Sequence, residues 1–360
     1  MGIGGARPFL AHPSGAPVRL TYVVRILGSL LCLSAALMAQ APVVGDINFY
    51  GLHGIAPDRI MSAAKLKAGG PLPASKGDME DHIAEVPGVG GARVEAICCE
   101  GAQVDVFIGI EAKNGPHSAF RSEPTGNVML SDDLLEVYQQ YGAALRRAAA
   151  RGKGTQDLTA GHAITSDPDA NAIEQHFLLY AAAHLDELRN VLRNCADPDQ
   201  RAAAAAVMGY AVRKSDVVDD LEYALQDPDD AVRTNALKAL NAIAVLGSVQ
   251  PDARVKISPT WMVELLHSVV LSDRIEAVKT LLTLTDHDGQ EAREQIRDRA
   301  LADLIDMARW KTPRYALPPF LLLGRVAGAT DKQTEQSWAK GDRESIIARA
   351  QTGPKKRLAP

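Results

Sequence analysis

The sequence has few aromatic residues and no excess of positive charge. Aromatics make up 5% of its 360 residues, a content that is usual in alanine-rich helical arrays, and the formal net charge is −5. Across residues 171–246 there are 7 Lys and Arg against 12 Asp and Glu. A nucleic-acid-binding protein needs a basic face that neutralises phosphates. We therefore do not expect nucleic acid as a partner.

Motifs of catalysis are also missing. The sequence contains no G-x-S-x-G, no H-E-x-x-H, no glycine-rich phosphate-binding loop followed by Lys-Ser/Thr, and no Cys-x2-Cys. We expect a protein that is not an enzyme, with no catalytic residue, no bound cofactor and no metal.

Two remaining clusters of polar residues are weak candidates for metal binding. Glu174, His176 and His184 share one predicted helix, but eight residues separate the histidines, which offsets them by about 80° around the helix axis. A shared metal is therefore not expected. Residues 286–289, with the sequence Asp-His-Asp-Gly, follow a predicted helix and are more typical of a turn.

The apolar run near the N-terminus is too short for a membrane span. Arg19 and Arg25 precede a 14-residue apolar core, 26–39, whereas a spanning helix needs about 20 residues. This pattern predicts a secretory signal peptide over 1–39 and an exported protein, periplasmic or secreted, with no membrane span after cleavage. The alternative is a protein anchored in the membrane by an uncleaved N-terminal segment.

Cysteines are few. Removal of the signal peptide would leave Cys98, Cys99 and Cys195, an odd number that leaves at least one thiol free or paired between chains. Cys98 and Cys99 are adjacent in a predicted strand, so their side chains point to opposite faces. We expect one buried and one edge thiol there, in preference to a redox or metal-binding pair.

The clearest positive signal is a pattern that occurs twice over residues 186–244. Each copy has an apolar segment with i, i+3, i+4 spacing, an Asp-Pro-Asp turn, and an arginine that leads a second apolar run. The leading arginines, Arg201 and Arg233, are 233 − 201 = 32 residues apart, a period typical of stacked helical-pair repeats. Aligning the turns at Asp197 and Asp227 gives 227 − 197 = 30, which predicts that the two turns differ.

The residues at these turns suggest how each second helix begins. Asp197 and Asp227 are predicted N-caps, each followed by a proline that suits the first helical position. The Asp-x3-Arg pairs, Asp197 with Arg201 and Asp229 with Arg233, resemble those of HEAT repeats, particularly the short bacterial type. The resemblance implies an α-solenoid that binds other proteins along an extended groove.

Two further copies with weaker patterns follow at 261–284 and 301–326. In the first of them, Asp273 and Glu276 are expected to form a capping box that opens a helix over 277–284. The predicted solenoid therefore covers 171–328, and it contains more than the three or so repeats that such an array needs. Its structural repeat positions are Asp197, Arg201, Asp227, Asp229, Arg233 and Asp273.

Residues 42–113 have the pattern of a small α+β domain with the element order β-α-α-β-β. Strands are predicted at 43–50, 92–99 and 103–110, and helices at 57–67 and 75–86.

This order resembles that of a POTRA domain, as do three short segments. They are Gly-Asp-Ile-Asn-Phe-Tyr-Gly at 45–51, Lys-Ala-Gly-Gly-Pro-Leu at 67–72 and Val-Asp-Val-Phe-Ile-Gly-Ile at 104–110. The resemblance implies a periplasmic interaction module that binds other chains partly by adding a strand to its exposed sheet edge. Since no run of amphipathic strands follows, a role in barrel assembly is not implied.

The remaining segments connect or end these regions. Residues 114–170 are predicted to be a linker with one amphipathic helix at 134–151, and residues 329–360 a C-terminal helix, 335–350, with a basic tail.

The function we expect is that of an exported, non-catalytic scaffold that binds other proteins, those of the cell envelope, through the solenoid surface and the POTRA-like sheet edge. The alternative is a HEAT-type accessory factor, a lyase or chaperone that acts on another protein. That role needs convergent polar groups in the groove, and the alanine-rich helices offer few.

Overall fold

The chain folds into a small three-stranded sheet region followed by a helical region. A computed structural model describes residues 41–100, 103–286 and 289–353. The predicted signal peptide, 1–39, lies outside these residues, as do the basic tail and two residues of the predicted 286–289 turn. None of the helices in the described part is both long and apolar enough to span a membrane.

The sheet region has the predicted element order. Its elements are β1 (Val43–Tyr50), α1 (Pro57–Ala63), α2 (Lys76–Ala84), β2 (Val89–Glu100) and β3 (Gln103–Ala112). Strand β3 is central in the order β1-β3-β2, parallel to β1 and antiparallel to β2.

The central strand β3 is buried on both faces, which explains its nearly continuous apolar sequence. Val106 and Ile108 pack in a core with α1 and α2. Phe107, on the opposite face, lies edge-on to the rings of Trp310 and Tyr315, with 5.1 Å between ring centroids in both pairs. The helical region therefore covers the second face of the sheet.

Strand β1 also makes polar contacts with the helical region. The Asn48 side chain donates to Thr312 Oγ1 at 2.9 Å and accepts from the Lys311 N–H at 2.6 Å. Trp310 Nε1 donates to the Phe49 carbonyl at 2.9 Å. These contacts hold the sheet and the last helix pairs together, and the chain from Pro42 onward forms one compact unit.

Gly109 on β3 allows this close approach. A Cβ atom at this position would lie 2.5 Å from the Tyr50 ring and 2.5 Å from the Val269 carbonyl oxygen. Any larger residue would push the sheet away from the helical region.

Residues 114–130, predicted to be part of a linker, run in contact with the helical region. The Arg121 N–H donates to the Gln226 carbonyl at 2.8 Å, and the Gly126 N–H donates to the Asn194 carbonyl at 2.9 Å. The segment therefore connects the two regions and also packs across successive helix pairs. We call residues 114–130 the strap.

After the strap come α3 (Asp132–Ala150) and a short hairpin of β4 (Gln156–Asp157) and β5 (Ile164–Thr165). The helices that follow are α4 (Pro168–Asn194), α5 (Pro198–Met208), α6 (Val218–Ala224), α7 (Asp230–Val249), α8 (Thr260–Leu265), α9 (Leu271–Leu284), α10 (Gln290–Gln295), α11 (Leu301–Ala308), α12 (Pro313–Val326), α13 (Asp331–Ala339) and α14 (Arg343–Thr352). A π-helical turn, Ile296–Ala300, joins α10 to α11.

Helix pairs occur at the four places where the repeat pattern predicts them. The pairs are α4 with α5, α6 with α7, α8 with α9, and α11 with α12. Their second helices pack side by side in the order α5, α7, α9, α12. Helix α4 is kinked at His184, where φ is −127° and ψ is 27°, so only its second half forms the first pair.

Two predicted boundaries in the C-terminal part are wrong. The single helix expected over 335–350 is divided into α13 and α14, because Gly341 adopts a left-handed conformation with φ of 72° between them. The last repeat helix, which the apolar pattern places at 317–326, is α12 and begins at Pro313, so Pro318 and Pro319 lie inside it.

Candidate binding groove

Buried arginines join successive helix pairs. Arg201 has no exposed surface, and its Nε and Nη2 donate to the two carboxylate oxygens of Asp227 at 2.9 and 2.8 Å. Its Nη1 donates to the carbonyls of Cys195 and Ala196 at 3.0 and 2.9 Å. One planar guanidinium therefore closes the turn of its own pair and binds the aspartate of the next.

Arg233 repeats this geometry one pair further along. Its Nε and Nη2 donate to the Asp273 carboxylate at 3.0 and 2.7 Å, and its Nη1 donates to the carbonyls of Asp227 and Pro228 at 2.7 and 2.8 Å. Phe120 of the strap lies against this guanidinium, 3.9 Å from ring centroid to Cζ. We call the pairs Arg201–Asp227 and Arg233–Asp273 the arginine ladder.

A third contact of this kind was not evident from the sequence. Arg274 donates to Asp303 at 3.1 Å, and Asp303 also contacts His267 Nδ1 at 2.9 Å and His53 of the sheet region. Burial alone would raise the pKa of Asp303, but hydrogen bonds from the histidines and the charge of Arg274 hold it well below its usual range. The spacing 274 − 233 = 41 hid this position from a search at a 32-residue period.

Helix capping and arginine binding are carried out by different aspartates of the Asp-Pro-Asp turns. Asp197 caps α5 and Asp229 caps α7 with their side chains, and these caps are 229 − 197 = 32 residues apart, like the arginines. The prediction of an N-cap at Asp227 is wrong, because its carboxylate is held by Arg201. The spacing of 30 residues compares Asp197, which caps a helix, with Asp227, which belongs to the ladder.

The two residues of each Asp-x3-Arg motif bind different partners. Arg201 and Arg233 do not pair with Asp197 and Asp229 of their own turns, because each arginine points toward the next helix pair. The capping box expected at Asp273 is absent, since α9 begins at Leu271, two residues before Asp273, and the Asp273 carboxylate binds an arginine.

A cavity of about 580 Å³ lies between α3, the β4–β5 hairpin, α5 and α7. Its floor is made of small residues, Ala206, Gly209, Ala239 and Ala242, which leave the space that larger side chains would fill. The volume is in the range of cavities that bind ligands or inserted side chains.

Tyrosines form the wall of this cavity. Tyr141 donates its hydroxyl to buried Glu174 at 2.7 Å, and Glu174 also accepts from the Thr165 N–H at 2.6 Å. The Tyr141 and Tyr210 hydroxyl oxygens are 3.4 Å apart, and burial raises the pKa of both groups. Both tyrosine hydroxyls are therefore neutral, and their hydrogen bonds hold the wall in place.

A buried lysine lies behind this wall. Lys214 Nζ donates to the Gly209 carbonyl at 2.9 Å and is 3.5 Å from His162 Nδ1. Burial lowers the pKa of Lys214 to about 8. Burial, and then the charge of Lys214, lower the pKa of His162 to about 4. At neutral pH the lysine is therefore charged and the imidazole is neutral.

The polar residues considered for metal binding are separated in the structure. Glu174 is buried, His176 is exposed, and His184 at the kink contacts Glu187 at 3.1 Å. Asp286 pairs with an arginine of α12. Within residues 41–100, 103–286 and 289–353 no group of His, Cys, Asp and Glu has a geometry that could hold a metal ion.

A second cavity of about 150 Å³ lies between α9 and α12, and Lys279 lines both cavities. We call the two cavities together the groove. The charged residues that line it, His162 aside, are Lys238, Lys279, Arg314 and Glu276. Glu276 pairs with Lys279 at 2.8 Å, whereas Lys238 has no ion pair among the described residues.

The sheet has one edge that its own region and the helices leave largely uncovered. On β1, the Val44 N–H and C=O bond to the backbone of Gly70 and Gly69. On β2, the Val94 N–H donates to Glu80 Oε1 at 2.8 Å. Arg314 Nη2 also donates to the Cys98 carbonyl of β2 at 3.4 Å. Strand addition at β2 would therefore compete with two side-chain contacts.

The expectation of two separate thiols at Cys98 and Cys99 is wrong for Cys98. Cys98 is disulfide-bonded, and Cys195 is a buried free thiol.

Comparison with known families finds a match in the helical region. Residues 185–256 match the family model of HEAT repeats. The matched HEAT segment contains the second half of α4, then α5, α6 and α7, and both arginines of the ladder. No curated protein and no solved structure matches the chain. HEAT repeats commonly bind other proteins, which makes proteins the expected class of partner.

Proposed function

We propose that the chain is an exported, non-catalytic scaffold whose HEAT-type solenoid holds a partner protein in the groove. The observation that supports this most directly is the side-by-side packing of α5, α7, α9 and α12, because residues of all four helices line the two cavities of the groove. Repeats that contact only their neighbours leave such a surface free for a partner.

The ladder supports the mechanical part of this proposal. A bidentate arginine–aspartate pair has a fixed geometry, so it sets the angle between successive helix pairs. Because Arg201 and Arg233 also bond to the carbonyls of their own turns, the groove is formed before any partner arrives. A preformed surface binds with a smaller loss of conformational entropy.

The sheet region would supply a second surface. Its β2 edge is the place for strand addition if the resemblance to POTRA domains extends to function. Contacts from Asn48 and Phe107 fix the sheet to the helical region, so both surfaces would keep one relative orientation. A scaffold of this kind could hold two chains of the cell envelope side by side.

The accessory-factor alternative is weaker in this structure. Such a factor needs polar groups that converge in the groove and are free to act on a substrate. Tyr141, Glu174 and Tyr210 already satisfy one another by hydrogen bonds, and Lys214 is buried behind them. These groups support the wall of the cavity.

The test uses site-specific photo-crosslinking in the full chain, expressed in its native cells. A photoreactive amino acid replaces Lys279 in the groove or, as a control, exposed Lys332 on α13. We expect one or a few protein adducts from position 279 that are absent from position 332. The captured protein, once purified, should form a complex of defined stoichiometry with the purified chain.

Two results would contradict the proposal. Equal adducts from both positions would show that the groove is not the binding surface. A pigment or metabolite that copurifies with the chain in place of a protein partner would favour the accessory factor. Export is tested by fractionating the same cells and determining the N-terminal residue of the protein by mass spectrometry. A protein found in the cytoplasm with an intact N-terminus would contradict export.

A further inference from the structure

We propose that the groove binds an extended, acidic segment of the partner protein, and that one large apolar side chain of this segment inserts into the tyrosine-walled cavity. This inference rests on the proposed function and names the chemistry of the partner.

The shape of the groove favours an elongated occupant. The two cavities share Lys279 in their linings, and their lining residues extend from α5 over α7 and α9 to α12. Neighbouring packed helices are about 8–10 Å apart, so the groove is roughly 20–30 Å long. An extended chain advances about 3.3 Å per residue, which gives room for roughly six to nine residues.

The larger cavity is suited to one bulky apolar side chain. Its floor is made of alanines and Gly209, and three tyrosines line it, Tyr138, Tyr141 and Tyr210. Aromatic and large aliphatic residues are the usual anchors in such pockets.

A polar group at the same place can orient the backbone of the bound segment. The Tyr138 hydroxyl accepts from the Asn235 side chain at 2.7 Å. The Tyr138 hydroxyl has no hydrogen-bond acceptor of its own among the described residues, so it can donate to a peptide carbonyl of the bound segment.

The charge of the groove differs in sign from that of the whole chain. Lys238, Lys279 and Arg314 line it together with a single acid, Glu276, in a chain whose net charge is −5. Glu276 neutralises Lys279, so two positive charges remain. Complementary charge selects the partner and speeds association, and here it selects carboxylates.

The probe is a library of random decapeptides displayed on phage, selected against the purified chain from residue 42 onward. Enriched peptides are then synthesised with a fluorescent label, and their affinities are measured by anisotropy at 50 and 300 mM NaCl. Two groove variants are compared with the parent. Lys238→Glu reverses the free charge, and Gly142→Leu fills the cavity from α3.

Gly142→Leu should not disturb folding. A Cβ atom at this position meets only the flexible end of Arg146, at 3.6 Å, and leucine is a better helix former than glycine. The matched controls are Lys332→Glu on α13 and Gln140→Leu, an exposed position on α3 that does not line the cavity. Thermal melts of all four variants establish that each is folded.

We expect the selection to enrich peptides that combine Asp or Glu with Phe, Leu, Tyr or Trp. Each groove variant should weaken their binding at least tenfold, and each control should change it less than twofold. Higher salt should also weaken it. Enrichment of basic or uncharged peptides, equal binding to the groove variants, or no enrichment above background would each overturn the proposal.

The two proposals can fail separately. If crosslinking from position 279 captures a protein whose contact segment is basic, the scaffold function stands and the inferred chemistry is wrong. If neither crosslinking nor the library finds a ligand of the groove, both proposals fail.

Discussion

Substitution of Arg233 by methionine tests whether the ladder stabilises the helical region. The change removes the bonds to Asp273 and to the carbonyls of Asp227 and Pro228, while it keeps most of the apolar volume of the side chain. Asp273 has no exposed surface and would keep only its bond from Ser268. Removing one partner of a buried ion pair costs about 3–5 kcal/mol of unfolding free energy.

This loss is a large part of the 5–15 kcal/mol that stabilises a typical domain. The assay is urea denaturation followed by far-ultraviolet circular dichroism. The control is Arg213→Met, because the Arg213 side chain is 78% exposed and its pair with Asp216 lies within one turn. Surface pairs of this kind contribute about 0–1 kcal/mol.

The dependence on pH identifies the cause of the loss. Burial raises the pKa of Asp273 even beside Arg233, and removal of the arginine raises it further. An acid whose folded pKa is raised destabilises the protein above that pKa, so the deficit of Arg233→Met should shrink as the pH falls toward about 4. Adding Asp273→Asn at neutral pH should restore part of the stability.

Two outcomes would refute this reasoning. One is a loss from Arg233→Met no larger than that from Arg213→Met. The other is a deficit that does not change between pH 7 and pH 5 and is not reduced by Asp273→Asn.

Three further predictions concern other parts of the molecule. Gly109→Val should lower the unfolding free energy by about 1–3 kcal/mol, since its Cβ would lie 2.5 Å from the Tyr50 ring; an unchanged urea midpoint would contradict this. Lys214→Met should remove a rise in stability of up to about 3 kcal/mol between pH 8 and 10.4, where only the unfolded lysine keeps its proton; urea melts at pH 7.5 and 9.5 measure the difference. The bond to Asp303 raises the pKa of His53 in the folded protein. The contribution of this contact to the unfolding free energy is therefore full below a pH of about 6.5, and it is lost as the pH rises through the folded-state pKa. The melting temperatures of the parent and His53→Asn should therefore differ most at pH 5.5, and an equal difference at pH 8.5 would show that this histidine does not act through its charge.

Several elements of the fold followed from local patterns in the sequence. Strand β1 has the predicted bounds, Val43–Tyr50, because alternating and buried residues end at a glycine turn. Helix α5 begins after Asp197 as predicted, because the aspartate side chain and the following proline act within one turn. These signals lie entirely inside the element that they define.

The role of each charged residue at the turns did not follow from such patterns. Asp227 and Asp229 are two residues apart in one turn, and either could cap a helix. Only the position of Arg201 in the preceding pair assigns Asp227 to the ladder and leaves Asp229 as the cap. The third contact, at Arg274, also depends on the longer connection before α8.

The sequence by itself determined the order of strands and helices in the sheet region, that helix pairs repeat, and where α5 begins. The tertiary structure decided which carboxylate each arginine binds, that the sheet packs on the last helix pairs, and that alanines from separate helices form the floor of one cavity. The physical reason is distance along the chain. Periodicity and caps act over a few residues, whereas the contact of Arg233 with Asp273 joins residues 40 positions apart and that of Asn48 with Thr312 joins residues 264 apart.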